Sequence, residues 1–218
     1  NEDLVLLYRT IQDDVEALID ELKRHPYDRD HYYAMRALEP ETLSPVMRAA
    51  RILYLNRTCF NGLYRVNSAG KFNVPHGRYD NPDIVDEANL RLVSKTLTGV
   101  EISVGSYEDN LAMVDDRTFV YFDPPYRPLP NTPSFHTYHK AAFGDAEQRS
   151  LAEKFKELHK RGAKLMLSNS DPKNTDEEDE FFDKIYSDFS IHRVPAIRAI
   201  NSDGEGRGKI TEILVTNY

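Results

Sequence analysis

Four consecutive residues, Asp123-Pro124-Pro125-Tyr126, combine a carboxylate, two ring-locked backbone positions and an aromatic face. Such a set suits the alkylation of a conjugated amine. The exocyclic nitrogen of a nucleobase such as adenine is a poor nucleophile, because its lone pair is delocalised into the ring. Drawing that pair out needs acceptors aimed at both amino hydrogens, and the Asp123 carboxylate and Pro124 carbonyl supply two. Successive prolines leave the loop few conformations, so the acceptors are held before a substrate arrives. Tyr126 offers a ring on which a base taken out of a duplex can stack, offsetting the pairing and stacking lost on extrusion. The bland alternative is a turn that merely closes a strand, since Asp and Pro are common in turns. Against it, average residue frequencies give this tetrapeptide on the order of once per thousand chains of this length.

The element that must position the motif directly precedes it. Phe119-Val120-Tyr121-Phe122 reads as a fully buried strand, and ligands of open parallel sheets bind beyond the carboxyl ends of the strands. From about Gly99 short apolar runs alternate with helical segments, the pattern of a parallel sheet. A helix is expected from about Ala146 to Lys160, with Asp145 as its N-cap, Leu151, Phe155 and Leu158 on one face, and Gly162 past its end. Lys164 to Leu167 is the next strand. Asp171 to Glu180 reads as an acidic loop, solvated over Asp176 to Glu180, and Phe181 to Tyr186 as a short helix. Ile191 to Ile200 and Ile210 to Asn217 are expected as strands joined through Gly204, Gly206 and Gly208, most simply an antiparallel pair.

The first hundred residues read as mainly helical. Asp3 to Leu22 has helical spacing throughout, and a second periodic segment runs from Pro45 through Leu55, after a polar and aromatic stretch from His25 to Tyr33. Thr58 to Pro82, with Gly62, Gly70, Pro75 and Gly77, carries loop or hairpin chemistry with interleaved arginines and aromatics.

Composition sets the outer limits. With 218 residues, 40% hydrophobic and 29% charged, the chain can bury a core, and no apolar run approaches a membrane span. The single cysteine, Cys59, excludes an internal disulfide, and no Cys/His spacing fits a zinc site. No metal is expected, and the seven histidines read as loop or surface residues. A cytoplasmic setting follows. The net charge of -8 argues against a nucleic-acid partner until its distribution is considered. Between Thr42 and Tyr79 lie six basic residues, Arg48, Arg51, Arg57, Arg65, Lys71 and Arg78, and no acid. One positive stretch therefore sits in an acidic protein, although a chance gap in acids would look the same.

The motif resembles that of amino-methylating DNA methyltransferases, and its Asp-first, Tyr-last form resembles the adenine branch. The resemblance extends to LYLNRTCFNGLYR from Leu53 to Arg65, GKFNVPHGRY from Gly70 to Tyr79, SFHTY from Ser134 to Tyr138, LSNS from Leu167 to Ser170 and GKITEILVTNY from Gly208 to Tyr218. Together these are similar to the Dam family of DNA adenine N6-methyltransferases. The resemblance implies an α/β chain with a Rossmann-like S-adenosylmethionine-dependent sheet and an inserted, mainly helical target-recognition domain. It places the start of the core at residues 1-8, the recognition domain at 9-95 and the catalytic domain at 96-218. It implies methyl transfer from S-adenosylmethionine to N6 of adenine in double-stranded GATC, by base flipping, with Asp123, Pro124, Pro125 and Tyr126 catalytic. Asp123, Ser106 and Tyr107 are then the cofactor contacts. Phe60 and Asn61 resemble the pair that inserts into the opened stack, Leu63 and Pro75 match positions touching thymine methyls, and Arg65 matches the arginine that reads a guanine. Arg78 and Tyr79 look like backbone-positioning residues, and Arg57, Asn67 and Tyr138 complete the DNA-binding set. The implied setting is the nucleoid of a prokaryote or phage-infected cell, in restriction-modification among other roles.

One departure stands beside these matches. Family members carry, before the point matching Asn1, a cofactor-binding segment, a Gly-rich loop, an acidic residue for the cofactor ribose and a lysine that reads the first guanine. The chain starts at Asn1, not methionine, and already reads as a helix from Asp3, so a missing beginning is expected. Two alternatives follow: a fragment that binds GATC without catalysis, and one half of a split enzyme whose partner, a separate polypeptide, supplies the loop.

Overall fold

The computed structural model describes residues 1–128, 143–197 and 209–218. They divide into two compact units, Asn1–Gly105 and a second that begins at Ser106.

The first unit is built from α1 (Glu2–Asp13), α2 (Val15–Leu22), α3 (Arg29–Ala37), α4 (Pro45–Thr58) and α5 (Glu87–Thr96). The single helix expected over Asp3 to Leu22 is two. At Asp14 the backbone leaves the helical region (φ −149°, ψ 59°), and its carboxylate accepts the Ala17 N–H. An Asp pair inside an apolar period is an N-cap mark, and it overrides the periodicity. The stretch from His25 to Tyr33 holds the start of α3, where Asp28 accepts the His31 N–H at 2.7 Å. Tyr32 joins the core because its hydroxyl donates to the Val74 carbonyl at 2.8 Å. α4 starts at Pro45, where the periodic segment was expected, with the Ser44 hydroxyl accepting the Met47 N–H and Pro45 in the first turn. Leu7, Ile11, Leu18, Ile19, Leu22, Met35, Ala50, Tyr54, Leu55 and Leu90 close one core between these helices.

The polar residues buried in this unit include His25, in a loop, as its reading allowed, and Arg51 on α4. His25 is not on the surface: it is 8% exposed, with Nδ1 3.0 Å from His31 Nε2. Burial first, and His31 second, hold its pKa below the ordinary histidine value. Arg51, counted in the positive stretch, is 6% exposed and donates to the Met35 and Arg36 carbonyls, both at 2.8 Å. It ties α4 to the carboxyl end of α3 instead of facing a partner.

After α4 the chain makes the expected hairpin. Cys59 pairs with His76 and Val66 with Phe72 as isolated bridges, and Gly77 N–H returns to the Thr58 carbonyl at 2.8 Å. Gly77 is required by space: a Cβ there would sit 2.4 Å from Tyr79 Cε2 and 2.8 Å from the Cys59 carbonyl oxygen.

The second unit is a four-stranded mixed sheet, β1 (Phe119–Phe122), β2 (Lys164–Ser170), β3 (Ser190–Ile197) and β4 (Lys209–Thr216), in the order β1-β2-β4-β3. β1 and β2 are parallel, with Phe122 opposite Leu167, and β4 is antiparallel to both β2 and β3. The helices are α6 (Asp145–Lys160) and α7 (Phe181–Ile185). α6 starts one residue earlier than expected: Asp145 opens it and Gly144 is the cap, its N–H donating to the Glu147 carboxylate at 2.8 Å. Leu151, Phe155 and Leu158 pack with Phe122, Leu165, Leu167, Ile213 and Val215. Only that face of β1 is covered by α6 and α7. Phe119 and Tyr121 point the other way and are 54% and 52% exposed, so the expectation of a fully buried strand fails. β1 is the terminal strand of this four-strand order, and alternation sends every second side chain off the packed face. No helix among the described residues is long and apolar enough to cross a membrane.

Candidate active site

Asp123 follows β1 and lies exposed at its carboxyl end. The parallel register that sets Phe122 against Leu167 brings the next residue of each strand together. Ser168 thereby reaches Asp123, its hydroxyl donating to Oδ1 at 3.0 Å and accepting the Tyr121 hydroxyl at 2.9 Å. A phenol, a hydroxyl and a carboxylate thus form a chain whose direction is fixed, because a carboxylate can only accept. Tyr126 turns toward β4, with its hydroxyl 3.3 Å from Glu212 Oε2. Burial pushes the Tyr126 phenol up to about 12, and the Glu212 and Asp123 carboxylates add to the rise. The ring is therefore uncharged at any working pH.

The residue after the motif anchors it. Arg127 donates from Nε and Nη2 to Asp145 at 2.7 and 3.1 Å and from Nη1 to Asp179 at 2.7 Å, and its guanidinium lies 4.3 Å from the centre of the Phe181 ring. Asp179 is thus not simply solvated, as the acidic run suggested. Below the loop, Gln148 donates to the Pro125 carbonyl at 2.9 Å.

Ser106 caps a 3-10 helix, Tyr107–Met113, and its N–H donates to Asp109 at 2.7 Å. Tyr107 packs edge-on against Phe122, with ring centres 6.3 Å apart, so this segment flanks the residue before Asp123. Burial raises the Tyr107 pKa. Among the described residues no group of His, Cys, Asp or Glu is arranged to hold a metal ion.

The hairpin of the first unit gathers the other sequence-selected residues. Phe60 is 48% exposed at its corner, next to Asn61, whose backbone is left-handed (φ 54°). Arg65 is exposed and donates from Nε to Asn73 Oδ1 at 2.7 Å and from Nη2 to the Asn73 carbonyl at 3.1 Å. Asn67 turns the hairpin tip, its Oδ1 accepting the Ala69 and Lys71 N–H groups, both at 3.0 Å. Pro75 is exposed, whereas Leu63 is half-buried against the helical core. Arg57 lies 4.0 Å from Asp86, Arg78 is exposed, and the Tyr79 hydroxyl donates to the Cys59 carbonyl at 2.8 Å. Tyr138 lies outside the described residues.

The sequence reading missed Ser168, Glu212, Arg127, Gln148 and Asn169. A signal for the strand pair of them existed: in LSNS, polar residues end the apolar run of β2, where a parallel neighbour of the motif strand must finish.

Residues 1–200 match a family described as D12 class N6 adenine-specific DNA methyltransferase. The chain is 46% identical to the type II methyltransferase M.MjaIII of Methanocaldococcus jannaschii, over 100% of this chain and 78% of that protein. It is 41% identical to the type II methyltransferase M1.LlaDCHI of Lactococcus lactis subsp. cremoris, over 100% of this chain and 77% of the relative. Identity to the DNA adenine methylase of Escherichia coli K12 is 35%, over 98% of this chain and 76% of the relative.

Proposed function

The chain belongs to the D12 class of N6 adenine-specific DNA methyltransferases, and on that footing we propose that it methylates adenine N6 within GATC, using S-adenosylmethionine, on a base turned out of the duplex. The observation that carries this is the exposed Asp123 carboxylate at the end of a parallel strand, oriented by Ser168, with the Tyr126 ring anchored beside it. Asp123 and the Pro124 carbonyl accept the two amino hydrogens, localising the lone pair on N6 as the nitrogen gains positive charge. Donors or acceptors fixed before reaction cost no reorganisation when charge develops. Tyr126 stacks on the extruded base.

S-adenosylmethionine, when bound, supplies an electrophilic methyl on a sulfonium. What supports its place at the end of β1 is the exposed Asp123 together with Tyr107, which follows Ser106 and packs against Phe122; these three would hold it. We assign the Rossmann-like catalytic role to the second unit and target recognition to the helical first unit. In the hairpin Phe60 and Asn61 support the opened stack, Leu63 and Pro75 meet thymine methyls, and Arg65 reads a guanine, the commonest specific arginine contact. Arg78 and Tyr79 position the DNA backbone, and Arg57 and Asn67 complete the DNA-binding set. GATC is supported by the likeness of this hairpin to the Dam recognition segment, and the type II names of two relatives support a place in restriction-modification.

Asp123→Ala tests the reading. Labelled methyl incorporation into duplex DNA is expected to vanish while the melting temperature holds; retained incorporation would end the proposed mechanism.

A further inference from the structure

Gln148 on α6 and Asn169 on β2 are both 0% exposed, on a helix and a strand whose other inward residues are apolar. A buried primary amide is tolerated only when its donors and acceptor are met. Here each amide nitrogen and each amide oxygen has a partner, in a chain that ends on the motif. Gln148 Nε2 donates to the Pro125 carbonyl at 2.9 Å, and Asn169 Nδ2 donates to Gln148 Oε1 at 3.1 Å. Asn169 Oδ1 accepts the N–H groups of Arg127 and Ser170, both at 2.9 Å. The Ser170 hydroxyl then donates to the Arg127 carbonyl at 2.7 Å. The amide orientations follow from the network, since a flipped Gln148 would set its oxygen against the Pro125 oxygen.

The loop needs this because of its own sequence. Prolines have no N–H, so the two central residues of Asp123-Pro124-Pro125-Tyr126 can be held only through their carbonyls. The Pro125 carbonyl and the Arg127 N–H lie on either side of Tyr126, and one amide pair fastens both. We propose that Gln148 and Asn169 are positioning residues for methyl transfer: they fix the peptide planes around Tyr126, which leaves the Pro124 carbonyl and the Tyr126 ring set for the target amine. This rests on the reading of Asp123 to Tyr126 as the base-holding loop.

The charged groups around this end of α6 are Arg127, Asp145, Glu147, Asp179 and Arg149, the last with its guanidinium 4.8 Å from the centre of the Phe181 ring. Two variants of the full chain separate positioning from packing. Gln148→Glu keeps the shape, but its ionised carboxylate cannot donate to Pro125, whereas its protonated form can. Gln148→Met fills the space with no donor at any pH. At pH 8 both are expected to lose kcat by roughly ten- to a hundredfold with little change in KM for DNA, the cost of a misplaced reacting group. As pH falls, Gln148→Glu should regain kcat relative to the unaltered chain, because burial raises a carboxyl pKa, and Gln148→Met should not. Amide hydrogen exchange at Arg127 supplies a readout that needs no turnover, and is expected to speed up in both variants at pH 8. Folded variants with unaltered kcat and unaltered Arg127 exchange would overturn the proposal. If the unaltered chain transfers no methyl group, the function proposed above fails on its own; faster Arg127 exchange in the variants would still support the positioning pair, and unchanged exchange would overturn it.

Discussion

Ser168→Ala removes one oxygen atom and, on the present geometry, should separate catalysis from folding. The Ser168 hydroxyl is the single described partner of Asp123 Oδ1, at 3.0 Å, and it also accepts from Tyr121 at 2.9 Å. A hydrogen bond to a charged acceptor contributes about 1.5–3 kcal/mol when neither partner can reach water. That figure is too large here, because Asp123 is exposed and Tyr121 is 52% exposed, so both rehydrate once the serine is gone. The methyl left behind suits a buried position, and the net loss of stability is expected to be under about 1 kcal/mol. The kinetic effect has no such relief. A carboxylate freed to rotate is no longer aimed at an amino hydrogen in the transition state, and losing about 1.4–2.8 kcal/mol of that stabilisation lowers kcat by roughly ten- to a hundredfold. Single-turnover transfer of labelled methyl to a duplex, with both substrates saturating, measures this beside a thermal melt. Unaltered kcat with an unaltered melting temperature would refute the orienting role. A lower melting temperature with unaltered kcat per folded molecule would reduce the hydroxyl to a structural one.

Other outcomes follow from the same geometry. Tyr126→Phe keeps the ring and loses only a 3.3 Å contact to Glu212, so turnover should stay within a few fold, whereas Tyr126→Ala should forfeit about 1–3 kcal/mol of base stacking, read by 2-aminopurine fluorescence at the target position. Equal effects of the two would contradict the stacking role. Gly77→Ala places a Cβ 2.4 Å from the Tyr79 ring and 2.8 Å from a backbone carbonyl, an overpacking expected to cost about 1–3 kcal/mol by chemical denaturation. An unshifted midpoint would mean that the hairpin yields. His25 is held neutral by burial, so its folded pKa lies below its unfolded value. The unfolded chain then binds the extra proton first, and stability should be complete above about pH 6.5 and fall as pH drops from there toward the folded pKa. Between pH 7.5 and 5.5 the melting temperature of the unaltered chain should fall more than that of His25→Gln, and equal falls would remove His25 as the cause.

The parts legible in the sequence were those with local causes. The apolar period from Pro45 announces α4, the apolar run and Gly162 bracket α6, and two terminal apolar runs announce the antiparallel pair. Asp13-Asp14 and Asp28 were equally local, but a continuous apolar period masked the first and an aromatic-rich context the second. The burial of β1 was misread because four apolar residues look the same whether one or both faces are covered; α6 and α7 cover only the side that carries Val120 and Phe122. Within the site, the motif itself was visible and its supports were not. Ser168 meets Asp123 across 45 positions, and Glu212 meets Tyr126 across 86. Those encounters depend on the registers of β1 with β2 and of β2 with β4, which no local pattern encodes. Arg51 shows the converse, a residue whose charge suggested a partner and whose burial gives it an internal task.

The central claim is that this chain transfers a methyl group to adenine in GATC. Labelled S-adenosylmethionine with a duplex carrying one unmethylated GATC, against a matched GTTC duplex, tests it most directly. Incorporation that depends on GATC, recovered as N6-methyladenine on nucleoside analysis, is the predicted result; equal incorporation into both duplexes, or label on another base, would contradict it.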